Sequence, residues 1–282
     1  AEQGALTVSA WALLPNHAHL PARPGAGPRE WIPAKSLDSS VKPTILNRAV
    51  FTASKGPAMP EWAVQRRFTR FPIVLPVLHR PKGHGAARTG VGWTRDVSGG
   101  GACVQLAEQL SHRVPLNLRL QTDRGPIELE GEVAWVGDPP KAGGGILHGV
   151  AFTHVAPDRL QTLRELIISK GKVRNAGGVR LPLEVSITCH RKGHAATSLQ
   201  GRTGNMSKGG LLLFLPHSYP PRTTLEVTLH SPAGPLTAEG VVVWNKPSVG
   251  QQLGEPIPHG FRFTALGWSR ALALGLLLAD AA

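Results

Sequence analysis

The chain has 282 residues, of which 41% are hydrophobic and 17% charged, so it is long enough to bury the core of one large domain or two small ones. Its 31 Lys and Arg residues against 18 Asp and Glu residues give a net charge of +13, which favours an anionic partner such as nucleic acid, an anionic membrane surface or a phosphorylated ligand. The 33 glycines and 25 prolines argue against a helical bundle, and the longest apolar runs are too short to predict a membrane span.

Residues 1–60 differ from the rest of the chain because they carry eight prolines and no sustained apolar pattern. We interpret them as a disordered arm or linker. No basic region precedes their apolar stretch, which argues against a secretory signal, and we therefore expect a cytoplasmic protein. The two cysteines, Cys103 and Cys189, have no zinc-type spacing and are expected to be buried thiols.

From residue 63 onward the sequence repeats itself at an offset of 109–111 residues. Six segments recur in the same order: RFPIVLPV with VRLPLEV, PKGHG with RKGHA, RDVSGGG with GNMSKGG, alternating apolar residues in PLNLRLQT with those in TLEVTLHS, EGEVAW with EGVVVW, and HGVAF with HGFRF. Six matches in one order indicate a tandem duplication. We predict two domains, over residues 63–171 and 173–282.

Each copy shows apolar residues at every second position, as in PLNLRLQT and ELEGEVAWV, which is typical of half-buried antiparallel strands. Turns such as DRGP and SPAGP join these strands into hairpins. A helical segment ends each copy, APDRLQTLRELIISK in the first and SRALALGLLLADAA in the second. About 110 residues with these elements predict an all-β fold with appended helices, in which a closed or nearly closed sheet of about six strands precedes each helix.

Basic and polar residues cluster at the start of the first copy. Three arginines precede its first strand, and an Asp-x-Ser-x-x-Gly turn lies between two later strands. Guanidinium groups bind phosphates and the O6/N7 edge of guanine, and a glycine-rich turn lets a planar base approach closely. The arrangement suits a ligand with guanine rings and phosphates. The candidate binding residues are Arg66, Arg67, Arg70, Asp96, Ser98 and Gly101.

These motifs resemble those of the PilZ family, whose signature is RxxxR followed downstream by [DN]xSxxG. Here RRFTR supplies the first motif and DVSGGG the second, while HGVAF resembles the GxxF strand of the family. The resemblance extends over both copies, residues 63–282. It implies two tandem six-stranded antiparallel β-barrels, each with a C-terminal helix, and binding of the bacterial second messenger cyclic di-GMP. In that family the paired arginines hold the phosphates and guanine edges, and the turn wraps around a guanine.

The second copy departs from this signature, because Ala176 replaces the first arginine of RxxxR. Losing one of two charge-assisted contacts costs about 1.5–3 kcal/mol, or roughly ten- to a hundredfold in affinity. We therefore expect the second motif to be degenerate, either a weak site or a structural one. Its remaining residues are Arg180, Asn205, Ser207 and Gly210.

Catalysis has little support in the sequence. His190 and His194 in HRKGH lack the glutamate of a zinc-protease helix, and DVSGGG lacks the glycine that a nucleophile elbow places two residues before its serine. We expect neither an enzyme nor a metal site. The best interpretation is a bacterial signalling receptor that binds cyclic di-GMP mainly through its first domain, needs no cofactor, and passes a conformational change to an unidentified downstream protein effector.

The alternative is a scaffold, or a nucleic-acid- or protein-binding module, whose barrels bind no small ligand. The net charge of +13 supports this alternative, because phosphate contacts dominate nucleic-acid binding. Against it, aromatic residues make up only 5% of the chain, and single-strand binders use aromatic stacking platforms. A nucleic-acid partner is therefore the weaker expectation.

Overall fold

The structure, a computed structural model, describes residues 68–83, 88–140, 143–171, 177–193, 197–246 and 255–280. The predicted arm of residues 1–60 lies outside them. The strands and helices are β1 (Pro76–Pro81), β2 (Gly90–Ser98), β3 (Gly101–Leu106), β4 (Pro115–Thr122), β5 (Gly125–Val136), β6 (Ile146–His154), α1 (Pro157–Lys170), β7 (Leu181–Pro182), β8 (Ser186–Arg191), β9 (Leu199–Ser207), β10 (Gly210–Leu215), β11 (Thr224–Ser231), β12 (Gly234–Asn245), β13 (Ile257–Ala265) and α2 (Trp268–Asp280).

The first six strands close into an antiparallel barrel with the order β1-β2-β3-β6-β5-β4. The ring closes between β1 and β4, where Val77 pairs with Leu120. Alternate residues of β4, namely Leu116, Leu118 and Leu120, are buried in the interior, which explains the period of two in this segment. Closure removes the exposed edges that an open sheet would present.

The second copy repeats this barrel. Strands β8 to β13 follow β1 to β6 at offsets of 109–111 residues. Their order is β10-β13-β12-β11-β8-β9, the pairing of β9 with β10 closes the ring, and the short β7 lies beside β9. The predicted pair of six-stranded antiparallel barrels with appended helices is confirmed.

The two helices pack differently. α1 lies on β5 of its own barrel and buries Leu163 and Leu166. α2 packs on β1 and β2 of the first barrel as well as on β12 of its own. Trp93 Nε1 donates a hydrogen bond to the Ala271 carbonyl at 2.9 Å, and a Cβ on Gly275 would lie 3.3 Å from the same indole. The last helix of the second copy therefore completes the packing of the first barrel.

The tryptophan and the HG dipeptide that recur in both copies form a packing pair. A Cβ on Gly149 would collide with the Trp135 indole, and a Cβ on Gly260 would collide with the Trp244 indole. Glycine is required because the ring lies directly against the backbone. These repeated residues therefore serve the fold of each barrel.

A histidine precedes that glycine and is fully buried in each copy. His148 Nε2 accepts the Leu110 N–H at 3.0 Å, and His259 Nε2 accepts the Tyr219 N–H at 3.0 Å. Since Nε2 accepts, the proton of each neutral ring resides on Nδ1, which lies 3.0 Å and 2.8 Å respectively from a carbonyl two residues upstream. Burial lowers the pKa of both histidines.

We predict that the protein loses stability as the pH falls from about 7.5 to 5, because its buried histidines resist protonation. Burial, with a smaller contribution from His148, lowers the pKa of His79 from 6.5 to about 4. At a pH between about 4 and 6.5, the His79 side chain therefore binds a proton in the unfolded chain more often than in the folded chain. The free energy of unfolding therefore falls by about 2 kcal/mol at pH 5 through His79 alone. Urea denaturation at both pH values measures the loss.

The variant His79→Leu should reduce this pH dependence. His112→Gln is the matched control, since His112 lies in an exposed turn, and it should leave the dependence unchanged. A wild-type free energy of unfolding that stays constant between pH 7.5 and 5 would contradict the role given to the buried histidines.

Candidate functional site

The structure places two of the predicted site residues in contact in the first copy. Arg70 Nη1 lies 3.4 Å from Asp96 Oδ1, and the two side chains are 13% and 26% exposed. The next residue, Phe71, exchanges two backbone hydrogen bonds of 2.9 Å with Val97. The segment that carries the arginine is therefore anchored directly beside the end of β2.

A buried threonine holds this segment in place. Thr94 Oγ1 donates to the Ile73 carbonyl at 2.7 Å and accepts the Leu75 N–H at 2.8 Å. The backbone N–H of Thr94 donates to the Leu75 carbonyl at 2.9 Å. Thr94 lies two residues before Asp96 on β2, so this threonine clamp fixes how far Arg70 is from its partner.

The second copy has the same clamp. Thr203 Oγ1 donates to the Leu183 carbonyl at 2.7 Å and accepts the Val185 N–H at 2.9 Å. Neither threonine was among the predicted site residues. Their offset of 109 residues, equal to that of the neighbouring motifs, was the signal that could have found them.

Ser98 and Gly101 shape the turn between β2 and β3. Ser98 Oγ donates to the Gly101 carbonyl at 3.0 Å, and the Gly100 N–H donates to Ser98 Oγ at 3.4 Å. A Cβ on Gly101 would collide with the Val150 carbonyl of β6. Both residues therefore have a role in the turn itself, and their contact with a ligand stays a prediction.

The ring of Phe68 lies on the glycine backbone of this turn. A Cβ on Gly100 would lie 2.6 Å from Phe68 Cδ2, and a Cβ on Gly99 would lie 3.2 Å from Phe68 Cδ1. Phe68 is nevertheless 41% exposed. A flat apolar ring thus covers the two glycines of this turn. Phe68 stands inside RxxxR in the sequence but was not among the predicted site residues.

The second copy repeats the polar pair with a neutral amide in place of the carboxylate. Arg180 Nη1 donates to Asn205 Oδ1 at 2.9 Å, and burial lowers the pKa of Arg180. Ser207 Oγ donates to the Gly210 carbonyl at 3.3 Å, as Ser98 does to Gly101. The four predicted residues of the second copy are therefore brought together, but without a carboxylate.

Several predicted residues lie outside the described part of the chain, namely Arg66, Arg67, Ala176 and His194. The roles of Arg66 and Arg67 stay predictions. His190 lies 3.4 Å from Glu226, and the described residues contain no group of three or more side chains that could hold a metal ion. No described helix is both long and apolar enough to cross a membrane.

The described chain therefore forms two tandem β-barrels. Each barrel has an arginine in contact with an Asp or Asn side chain, beside a turn that contains serine. The sequence model of the PilZ domain matches residues 64–169 and again residues 174–267. The chain therefore belongs to the PilZ family and contains two copies of its domain.

Solved structures with similarity to the chain include the PilZ domain of YcgR from Escherichia coli with c-di-GMP, at 18% identity and a TM-score of 0.33, covering 38% of this chain and 91% of that one. The inhibitor of motility MotI/DgrA of Bacillus subtilis has 12% identity and a TM-score of 0.33, over 73% and 95% of the two chains. PlzA of Borreliella burgdorferi, in complex with c-di-GMP, has 13% identity and a TM-score of 0.34, over 74% and 88%. The search of curated proteins finds no match.

We predict that Thr94→Val lowers the free energy of unfolding by about 1–3 kcal/mol, because it leaves a buried N–H and a buried carbonyl without their partner at nearly constant volume. Thr203→Val should cost a similar amount in the second barrel. Urea denaturation followed by far-UV circular dichroism measures both losses. Thr153→Val, at an exposed position of β6, is the control. Equal stability of Thr94→Val and Thr153→Val would show that the clamp is dispensable.

Proposed function

We propose that the chain is a non-enzymatic, cytoplasmic bacterial receptor for cyclic di-GMP and that the first domain, residues 63–171, holds the ligand. The observation that carries this proposal is the contact of Arg70 with Asp96 beside the glycine turn. These are the positions at which the PilZ signature has its ligand contacts. The first barrel alone combines this contact with a complete signature.

The chemistry of the pair fits a guanine nucleotide. The Arg70 guanidinium is a permanent cation with a planar set of donors, which suits a phosphate or the O6/N7 edge of guanine. The Asp96 carboxylate accepts hydrogen bonds and suits the N–H donors of a guanine ring. A ligand that has both a phosphate and a guanine ring can bind Arg70 and Asp96 separately, and so replace the contact between them. Arg66 and Arg67 then add two further cations.

Ligand binding also changes the position of Phe68. A guanine that stacks on Gly99 and Gly100 takes the place of the phenylalanine ring, so the segment from Phe68 to Arg70 rearranges. The free energy for this change comes from the higher affinity of the ligand for the rearranged state. In our proposal the rearranged segment presents a new surface to the downstream effector.

The second domain, residues 173–282, is the weaker candidate for binding. It has Asn205 instead of a carboxylate and Ala176 instead of an arginine. Its Gly209 N–H already donates to the Gly177 carbonyl at 2.7 Å, so backbone covers its turn. We propose that this domain has mainly a structural role.

Calorimetric titration of cyclic di-GMP into the full chain tests the assignment. We expect saturable binding at one site per chain and no binding of GTP at the same concentration. Arg70→Ala should weaken the affinity by roughly ten- to a hundredfold, because it removes a charge-assisted contact. Arg180→Ala is the matched control, since it removes the equivalent guanidinium of the second barrel, and it should change the affinity much less.

Unchanged affinity in a folded Arg70→Ala variant would show that the site is misassigned. An equal loss in both variants would place ligand contacts in the second barrel as well. No binding by the wild type would favour the scaffold or nucleic-acid alternative.

The net charge of +13 keeps nucleic-acid binding as the second candidate function. The salt dependence of the affinity distinguishes the two functions. Binding to a polyanion releases many counterions, so its affinity falls steeply between about 50 and 200 mM salt. We predict that affinity for cyclic di-GMP falls much less over this range than affinity for a fluorescent DNA oligonucleotide. DNA binding that is tight and insensitive to salt would contradict this ranking.

A further inference from the structure

Backbone covers one side of the turn of the second copy. The Gly209 N–H donates to the Gly177 carbonyl, and a Cβ on Gly209 would collide with Gly177 Cα. In the first copy the corresponding glycines lie under the side chain of Phe68. A planar ligand can displace a side chain, but it reaches Gly209 only if the chain around Gly177 moves.

A lysine on the other side of this turn extends to the first barrel. Lys208 Nζ donates to Gln105 Oε1 at 3.3 Å, and it lies 5.4 Å from the ring centroid of Trp93 and 5.6 Å from that of Trp268. Trp93 and Gln105 belong to β2 and β3 of the first barrel, whereas Trp268 begins α2. Both indoles are within the range of cation–π attraction.

The surroundings of Lys208 are unusual for a lysine. Burial, and to a smaller extent the nearby Arg95 guanidinium, lower its pKa to about 8. Placing the ammonium here therefore costs free energy, which the two indoles and the Gln105 amide offset. These partners are provided by the first barrel and α2 together.

Residues 177–179 connect the two barrels, and this linker contacts both motifs. The Val179 N–H donates to the Val74 carbonyl at 3.0 Å, within the segment that follows Arg70. Two residues earlier, Gly177 covers the turn of the second copy. Gly178 between them has a φ of +87°, and a Cβ there would lie 3.0 Å from the Val74 oxygen. The linker therefore lies between the binding segment of one copy and the turn of the other.

We propose that the Asn-x-Ser-x-x-Gly turn of the second copy is an internal docking surface for the first barrel and not a nucleotide site. Lys208 contacts the first barrel directly, and Gly209 is connected to it through the linker, whose Val179 binds Val74. The docking itself is independent of the proposed function. Only one consequence rests on that function, namely that each chain has a single site for cyclic di-GMP.

Hydrogen exchange of the full chain without ligand, followed by mass spectrometry, tests the docking. In Gly209→Val the added side chain has no room against Gly177, so the turn must separate from the linker. We expect about tenfold faster exchange in peptides covering residues 71–75 and 177–181. Gly83→Val is the matched control, because a Cβ at Gly83 meets no atom within 4 Å, and its exchange should equal that of the wild type.

Lys208→Ala provides a second variant in case Gly209→Val fails to fold. It removes the contacts with Trp93, Trp268 and Gln105, and we expect faster exchange in β2, β3 and α2. Lys246→Ala, at an exposed position, is its control. If both folded variants change exchange only within residues 204–212, the turn does not hold the first barrel and the inference fails.

Ligand stoichiometry tests the second half of the proposal. We expect one binding site for cyclic di-GMP per chain in the wild type and in Arg180→Ala. Two sites per chain, reduced to one by Arg180→Ala, would overturn the docking assignment and leave the proposed receptor function intact. No binding in any variant would overturn the receptor function, and the exchange experiment would still decide the docking.

Discussion

The candidate site depends on one buried hydroxyl group. Thr94 Oγ1 satisfies a carbonyl and an N–H of the segment from Ile73 to Leu75, and the residue is fully buried. Valine has the same shape but leaves both backbone groups without a partner. Since Arg70 is three residues before this segment and Asp96 two residues after Thr94, the clamp fixes their distance. Thr203 does the same for Arg180 and Asn205, so the polar pair of each barrel is a consequence of its fold.

The sequence predicted the barrels because the underlying physics is local and repeated. Alternation in β4 reflects leucines that point inward at every second position, and this pattern depends on strand geometry alone. The duplication strengthened the prediction of a barrel, since the same alternation of apolar residues occurs in both copies. The repeated tryptophan and glycine served only to reveal the duplication, and the structure shows that Trp135 and Gly149 are a packing pair.

Other features could not be predicted because they depend on contacts between distant residues. Trp93 and Ala271 are 178 positions apart, and no local pattern says that α2 packs on the first barrel. Lys208 resembles an ordinary turn residue until the two indoles and Gln105 are placed around it. The motifs grouped Arg70 with Asp96, and the structure places these two side chains 3.4 Å apart. The ring of Phe68 over the glycines is a tertiary contact that the motifs do not indicate.

The duplicated turn shows how one geometry can serve two purposes. In both copies a serine hydroxyl closes the turn onto a glycine carbonyl, so the backbone is equivalent. The two turns differ in the group that covers them, which is the Phe68 side chain in the first copy and the Gly177 backbone in the second. A side chain such as Phe68 leaves by rotating about its own bonds, whereas the backbone at Gly177 can leave only with its hydrogen-bonded neighbours. Displacing the cover of the second turn therefore disturbs more hydrogen bonds than displacing the cover of the first. The second copy also has Ala176 and Asn205 where the first has Arg66 and Asp96, and Lys208 of its turn contacts Gln105 of the first barrel.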